Sequence, residues 1–132
     1  MEEILKEIGI SEKTINQMEE ICPNIKELNT EDVIKKIEIL KGLNCNDIQI
    51  RNIISSNAMY LDRSNTDIDK LIQTLKDLGF DCLDLLFDGN PSILNLDDFE
   101  IKRYVNKRME NGELLEDIID DMNSNLYLFE EI

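Results

Sequence analysis

The sequence predicts an all-α fold, a short α-helical repeat solenoid of helix–helix–3₁₀ units about 33–35 residues long, and three observations carry that prediction. The apolar residues, mostly Ile and Leu, recur three and four positions apart, which lines one face of a helix. The 132 residues include only five Gly and two Pro, too few for the tight turns of a many-stranded protein. A hexamer also repeats: Leu5-Lys6-Glu7-Ile8-Gly9-Ile10 returns as Leu40-Lys41-Gly42-Leu43-Asn44-Cys45 and again as Leu75-Lys76-Asp77-Leu78-Gly79-Phe80, 35 positions on each time.

The register extends beyond the hexamer. Ile15, Ile50 and Leu85 correspond. With two residues fewer in the third unit, Pro23, Ala58 and Pro91 align, as do Ile25, Tyr60 and Ile93. Val33, Ile68 and Ile101 follow, then Ile37, Ile72 and Val105. A further step of 33 sets Ile118 beneath Leu85 and Leu126 beneath Ile93, giving a degenerate fourth unit over residues 106–132. The expectation is one domain, 1–132, in four units near 1–30, 31–65, 66–97 and 98–132. Such a unit cannot bury its apolar face alone, and a terminal copy diverges because one side meets water.

Each unit reads in order. A helix stops at Gly9, Asn44 or Gly79, residue types that accept the left-handed conformation of a helix end. Ser11, Asn46 and Asp81 follow as N-caps of a second helix, which ends near Cys22, Asn57 and Gly89. The Pro23/Ala58/Pro91 position comes next, where proline blocks a helix and favours one 3₁₀ turn. Thr30, Thr66 and Asp97 then cap a longer amphipathic helix that leads to the next stop. The main helices are predicted over 31–43, 47–56, 66–78 and 98–110.

The third unit, Leu75-Lys76-Asp77-Leu78-Gly79-Phe80 with Leu85-Leu86 and Asn90-Pro91-Ser92-Ile93-Leu94 behind it, resembles the repeat of the mitochondrial transcription termination factor (mTERF) family. The first unit keeps Gly9, Ile10 and Pro23, whereas the second has Asn44 for Gly and Ala58 for Pro. The resemblance implies a right-handed-type superhelix of α-helical units that holds nucleic acid along a basic concave groove. The sequence departs from that pattern in its few units and in its scarcity of cations. Only Lys102, Arg103, Lys107 and Arg108, at helical spacing, would form a basic stripe for phosphate contacts. Glu110, Glu113, Glu116 and Asp117 stand close by and offer those cations a competing role in ion pairs.

Charge argues in the other direction. Against 14 Lys and Arg stand 29 Asp and Glu, a net charge of −15, and from Glu110 onward eight acids meet no base. Such a surface repels phosphates and attracts basic proteins, although it also serves solubility alone. The catalytic inventory is short. Without histidine, Ser–His and Cys–His catalysis and the commonest metal ligand are excluded. Cys22, Cys45 and Cys82 have no CxxC spacing, Cys45 takes the core position of Ile10 and Phe80, and nothing basic flanks the other two. The stretch Asp62–Asp69 resembles a calcium loop only superficially, with Asp67 in place of the required Gly and Gln73 in place of the bidentate Glu. The expectation is a protein without enzymatic activity, cofactor, metal or small-molecule substrate. The cationic start of a signal peptide and any membrane-length apolar run are lacking, which predicts a cytoplasmic protein with no membrane partner.

Three functional readings result. Charge puts first a non-enzymatic acidic protein that engages a basic protein partner through Glu110, Glu113, Glu116, Asp117, Asp120 and Asp121. Its sharpest form is a nucleic-acid mimic that inhibits its partner, in the manner of phage and mobile-element inhibitors such as anti-CRISPR proteins. The alternative is an mTERF-like protein that binds nucleic acid directly, and the third reading is a structural adaptor module. Among the aromatic residues, Tyr60 and Phe80 align with core positions, while Tyr127 and Phe129 either pack the last unit or anchor a partner.

Overall fold

The computed structural model describes residues 2–132, which form helices and 3₁₀ turns with no strand among the described residues. In order they are α1 (Glu2–Glu7), α2 (Glu12–Ile21), α3 (Thr30–Gly42), α4 (Asp47–Ser56), α5 (Asn65–Leu78), α6 (Leu83–Gly89), α7 (Asp98–Glu110), α8 (Leu115–Ser124) and α9 (Leu128–Glu131). The 3₁₀ turns Ile25–Glu27, Ala58–Asp62 and Pro91–Asn95 lie between α2 and α3, α4 and α5, and α6 and α7. The chain divides into two compact units between Asn65 and Thr66.

The repeating stop is a Schellman end. Gly9, Asn44 and Gly79 have φ of 97°, 69° and 107°, and Gly112, a fourth stop of the same kind, has 92°. At each stop the next residue's N–H reaches back five positions: Ile10 to Leu5, Cys45 to Leu40, Phe80 to Leu75, Glu113 to Arg108, at 3.0–3.2 Å. The stop residue's own N–H bonds three positions back, to Lys6, Lys41, Lys76 and Met109. These bonds satisfy carbonyls that a helix end leaves open.

The second helix of each unit also ends alike. The N–H groups of Cys22, Asn57, Asn90 and Asn125 each close the last helical turn, and three positions later Ile25, Tyr60, Ile93 and Leu128 are fully buried. From stop to this cap is 13 positions in the first, second and fourth units, but 11 from Gly79 to Asn90. The two-residue deletion therefore lies ahead of Asn90, within the α6 segment. That corrects two alignments. Leu85 is 53% exposed, and Leu83, seven positions before its cap like Ile15, Ile50 and Ile118, takes the core place. Leu126 is 71% exposed, and Leu128 fills the position of Ile93.

Capping follows the sequence in part. Ser11 accepts from the Thr14 N–H, and Asn46 makes a reciprocal capping box with Gln49. Asp81 does not cap α6, because that helix starts at Leu83 and Cys82 holds the cap position. Thr30 is already helical; Asn29 caps α3 by accepting from Glu31 and Asp32, and α5 starts one residue before Thr66. Val33, Ile68 and Ile101 are completely buried, as is Tyr60, whose hydroxyl donates to the Lys36 carbonyl at 2.7 Å.

Replacing Gly79 isolates the cost of the left-handed stop. A methyl there would meet only Ile119 Cδ1 at 3.5 Å, an ordinary contact, so the penalty is conformational. Gly79→Ala is expected to lower stability by about 1–2 kcal/mol, while Asn44→Gly, at the same conformation, leaves it unchanged or slightly raised. Urea denaturation midpoints of the two variants measure the contrast.

Candidate nucleic-acid interface

Helix α7 carries the basic residues that the sequence singled out. Ile101 and Val105 bury one face. Lys102, Arg103 and Lys107 lie on the other and are exposed. Arg103 and Lys107, four residues apart, share a line along the helix, and Lys102 flanks them. Lys102 reaches Asp98 at 3.9 Å, at the outer limit of an ion pair between exposed groups and therefore worth little. Exposed Phe99 stands three and four positions before Lys102 and Arg103. Glu110 lies one turn beyond Lys107 and is exposed as well.

Arg108 has a different role. Its Nε and Nη2 donate to both oxygens of Glu113, at 2.9 and 2.6 Å. Its Nη1 donates to Asp121 at 2.7 Å and to the Tyr104 hydroxyl at 3.0 Å. The Tyr104 hydroxyl in turn donates to Glu131 at 3.0 Å, and the guanidinium carbon stands 5.5 Å from the Tyr104 ring centre. The four-cation stripe is thus reduced to three, because Arg108 is spent inside the fold. Hydrogen bonding to Glu113 and then Asp121 raises the guanidinium pKa above its ordinary value, against the opposing effect of burial. Arg108 correspondingly holds the Glu113 carboxyl below the usual carboxylate range. Burial pushes the Tyr104 phenol up.

This arrangement replaces an apolar contact. The stop positions filled by Leu5 and Ile10, Leu40 and Cys45, and Leu75 and Phe80 are filled in the fourth unit by Arg108 and Glu113. A Schellman end brings those two positions together, usually through apolar side chains, and here the last unit joins them with a bidentate ion pair.

The acids expected to form a partner face divide accordingly. Glu113 and Asp121 hold Arg108. Glu116 and Asp117 occupy the first turn of α8, where carboxylates favour the helix dipole. Glu110 and Asp120 are exposed. Tyr127 and Phe129 are exposed too, at 71% and 43%.

Neither Cys22 nor Cys82 is activated. Burial, then the nearby Asp62 charge, pushes Cys22 up, and a hydrogen bond with Asp81 raises Cys82. Cys45 is buried in the core. Asp62 ends a 3₁₀ turn while Asp67 and Asp69 lie within α5, so the calcium-like stretch is not a loop. Among the described residues no cluster of three or more Asp, Glu, Cys or His is placed to hold a metal ion. Nor is any of the described helices long and apolar enough to cross a membrane.

Comparison with known families decides between the functional readings. The mTERF family model matches residues 2–112, which takes in every element from α1 through α7. The chain belongs to the mTERF family. No curated protein and no solved structure was found to match it. The helical-repeat solenoid class expected from the repeats is the class of this family. Membership overturns the reading that put an acidic inhibitor of a basic protein first, since mTERF proteins are non-enzymatic nucleic-acid-binding factors. Net charge is a property of the whole surface and does not by itself set what a local patch binds.

The ion-pair cluster yields a stability test. Arg108→Ala removes the donor shared by two carboxylates and a phenol, and is expected to cost about 1 kcal/mol, a modest figure because water reaches the carboxylates. Arg108→Lys should recover little of it, lacking the planar fork. Because Glu113 is held below its ordinary pKa in the folded state, its contribution is present above the unfolded carboxylate pKa and disappears as pH falls through the folded value. Wild type should therefore lose stability more steeply on acidification than Arg108→Ala, as urea titrations between neutral and acid pH would reveal.

Proposed function

We propose that this mTERF-family chain binds nucleic acid directly and without catalysis, with Lys102, Arg103 and Lys107 on α7 contacting backbone phosphates. The observation that carries the reading is the family match across residues 2–112, which includes the whole of α7. The exposed cations of that helix give the phosphates a local counter-charge within a chain of net charge −15. Phosphate contacts of this kind supply affinity and positioning without reading sequence. The surrounding acids weaken binding at every sequence alike and restrict the contact to this face.

Fluorescence anisotropy against duplex DNA, single-stranded DNA and RNA at low salt tests the proposal, since electrostatic binding is strongest there. Saturable binding is expected to at least one of the three. Arg103→Gln with Lys107→Gln should weaken it roughly tenfold or more, while Lys13→Gln on α2 leaves it unchanged. Absence of binding to all three, or equal loss in the Lys13 control, would overturn the proposal.

A further inference from the structure

Phe99 departs from the repeat. Counted from the caps Cys22, Asn57 and Asn90, the positions that match it are Glu31 and Thr66, both polar and exposed. Phe80 and Phe87, in the same compact unit, are buried, whereas Phe99 is 55% exposed. The fold does not call for a ring at this position, and the core gains little from it.

The neighbours of Phe99 give the ring another use. On a helix of 3.6 residues per turn it lies about 160° around α7 from the buried Ile101. Phe99, Arg103, Asn106 and Glu110 are all exposed, and their spacings of four, three and four residues set them on one line along the helix. Lys102 flanks that line on one side and Lys107 on the other. Lys102 and Arg103 therefore stand about one turn from the ring, and phosphates drawn to them carry their bases past it. Glu110 closes the line and repels phosphate beyond it.

An exposed ring among cations selects the form of the nucleic acid. Phosphate contact alone serves duplex and single strand alike. In a duplex the flat faces of the bases are covered by their neighbours, and turning one out costs about what a single stack on a ring returns. A single strand offers its bases without that cost, and every base has a face to stack. With three cations the electrostatic contribution is small, so one stacked base is a large share of the affinity.

We infer that α7 takes single-stranded nucleic acid in preference to duplex, with one base stacked on Phe99 and the adjoining phosphates on Lys102 and Arg103. This rests on the nucleic-acid reading of α7 and adds its substrate class. Neither the stack nor the phosphate contacts read the sugar, so DNA and RNA strands bind alike.

Fluorescence anisotropy at low salt with the full chain tests the inference, using oligo(dT), oligo(U), a hairpin duplex and an abasic strand with the same number of phosphates. The abasic strand keeps the charge and lacks the bases. Both pyrimidine strands are expected to bind about tenfold or more tightly than the abasic strand and the duplex. Phe99→Leu, apolar without a ring, should lose about that factor on oligo(dT) and oligo(U) and nothing on the abasic strand, while Phe99→Tyr binds as wild type does. Equal affinity for the abasic strand or the duplex, or undiminished binding by Phe99→Leu, would overturn the inference. If Arg103→Gln with Lys107→Gln still weakened binding in that case, phosphate contact by α7 would stand without the stack. Absence of binding to every probe would overturn both.

Discussion

One constraint organises this molecule: the first helix of each unit ends in a left-handed residue. Gly9, Asn44, Gly79 and Gly112 adopt that conformation, and each directs the chain into a second helix whose cap follows 13 positions later, or 11 in the third unit. From each such cap the next stop is 22 positions on, from Cys22 to Asn44, Asn57 to Gly79 and Asn90 to Gly112. The long segment therefore has a constant length while the short one absorbs the deletion. The reason is physical. The long helix carries the apolar stripe of Val33 and Ile37, Ile68 and Ile72, or Ile101 and Val105, and losing residues from it would rotate that stripe away from the core. The short helix can lose a partial turn if a neighbouring leucine takes over the buried position, as Leu83 does.

The same frame accounts for the behaviour of charge. At the fourth stop, two positions that hold apolar residues in the other units hold Arg108 and Glu113. Arg108 and Glu113 keep access to water, so an ion pair there costs less in desolvation than it would deeper in the protein. Its consequence reaches the proposed interface, because one of four cations is withdrawn from phosphate binding and three remain. The acids that make the chain so negative are also partly structural, with two of them holding that arginine and two favouring the start of α8. Net charge counts all of these equally, which is why it pointed to a basic protein partner while the family match pointed to nucleic acid.

Much of this was legible in the chain itself. The apolar period and the Gly/Asn stops placed α3, α4, α5 and α7 within a residue of their positions, because these features are local and strongly periodic. The burial of Ile25, Tyr60 and Ile93 was equally readable from the repeat. Leu85 and Leu126 fall on core positions only when register runs forward from the stop through the deletion; register run back from Asn57, Asn90 and Asn125 gives Leu83 and Leu128. Gly112 and the arginine in a leucine's place were visible 33 residues beyond Gly79 and Leu75. The burial of Lys36 was not. A lysine beside a helix's apolar stripe ordinarily reaches water, and its burial here depends on a 3₁₀ turn more than twenty residues away.

The most direct test of the central claim is the salt dependence of nucleic-acid affinity. With three cations on phosphates, a plot of log K against log salt should have a slope of about −2 to −3, the shallower value for single strands. That slope is small beside proteins with extended basic grooves, and it is the quantity this interface predicts. A slope near zero would contradict phosphate contact by Lys102, Arg103 and Lys107, and one much steeper would require cations that α7 does not carry.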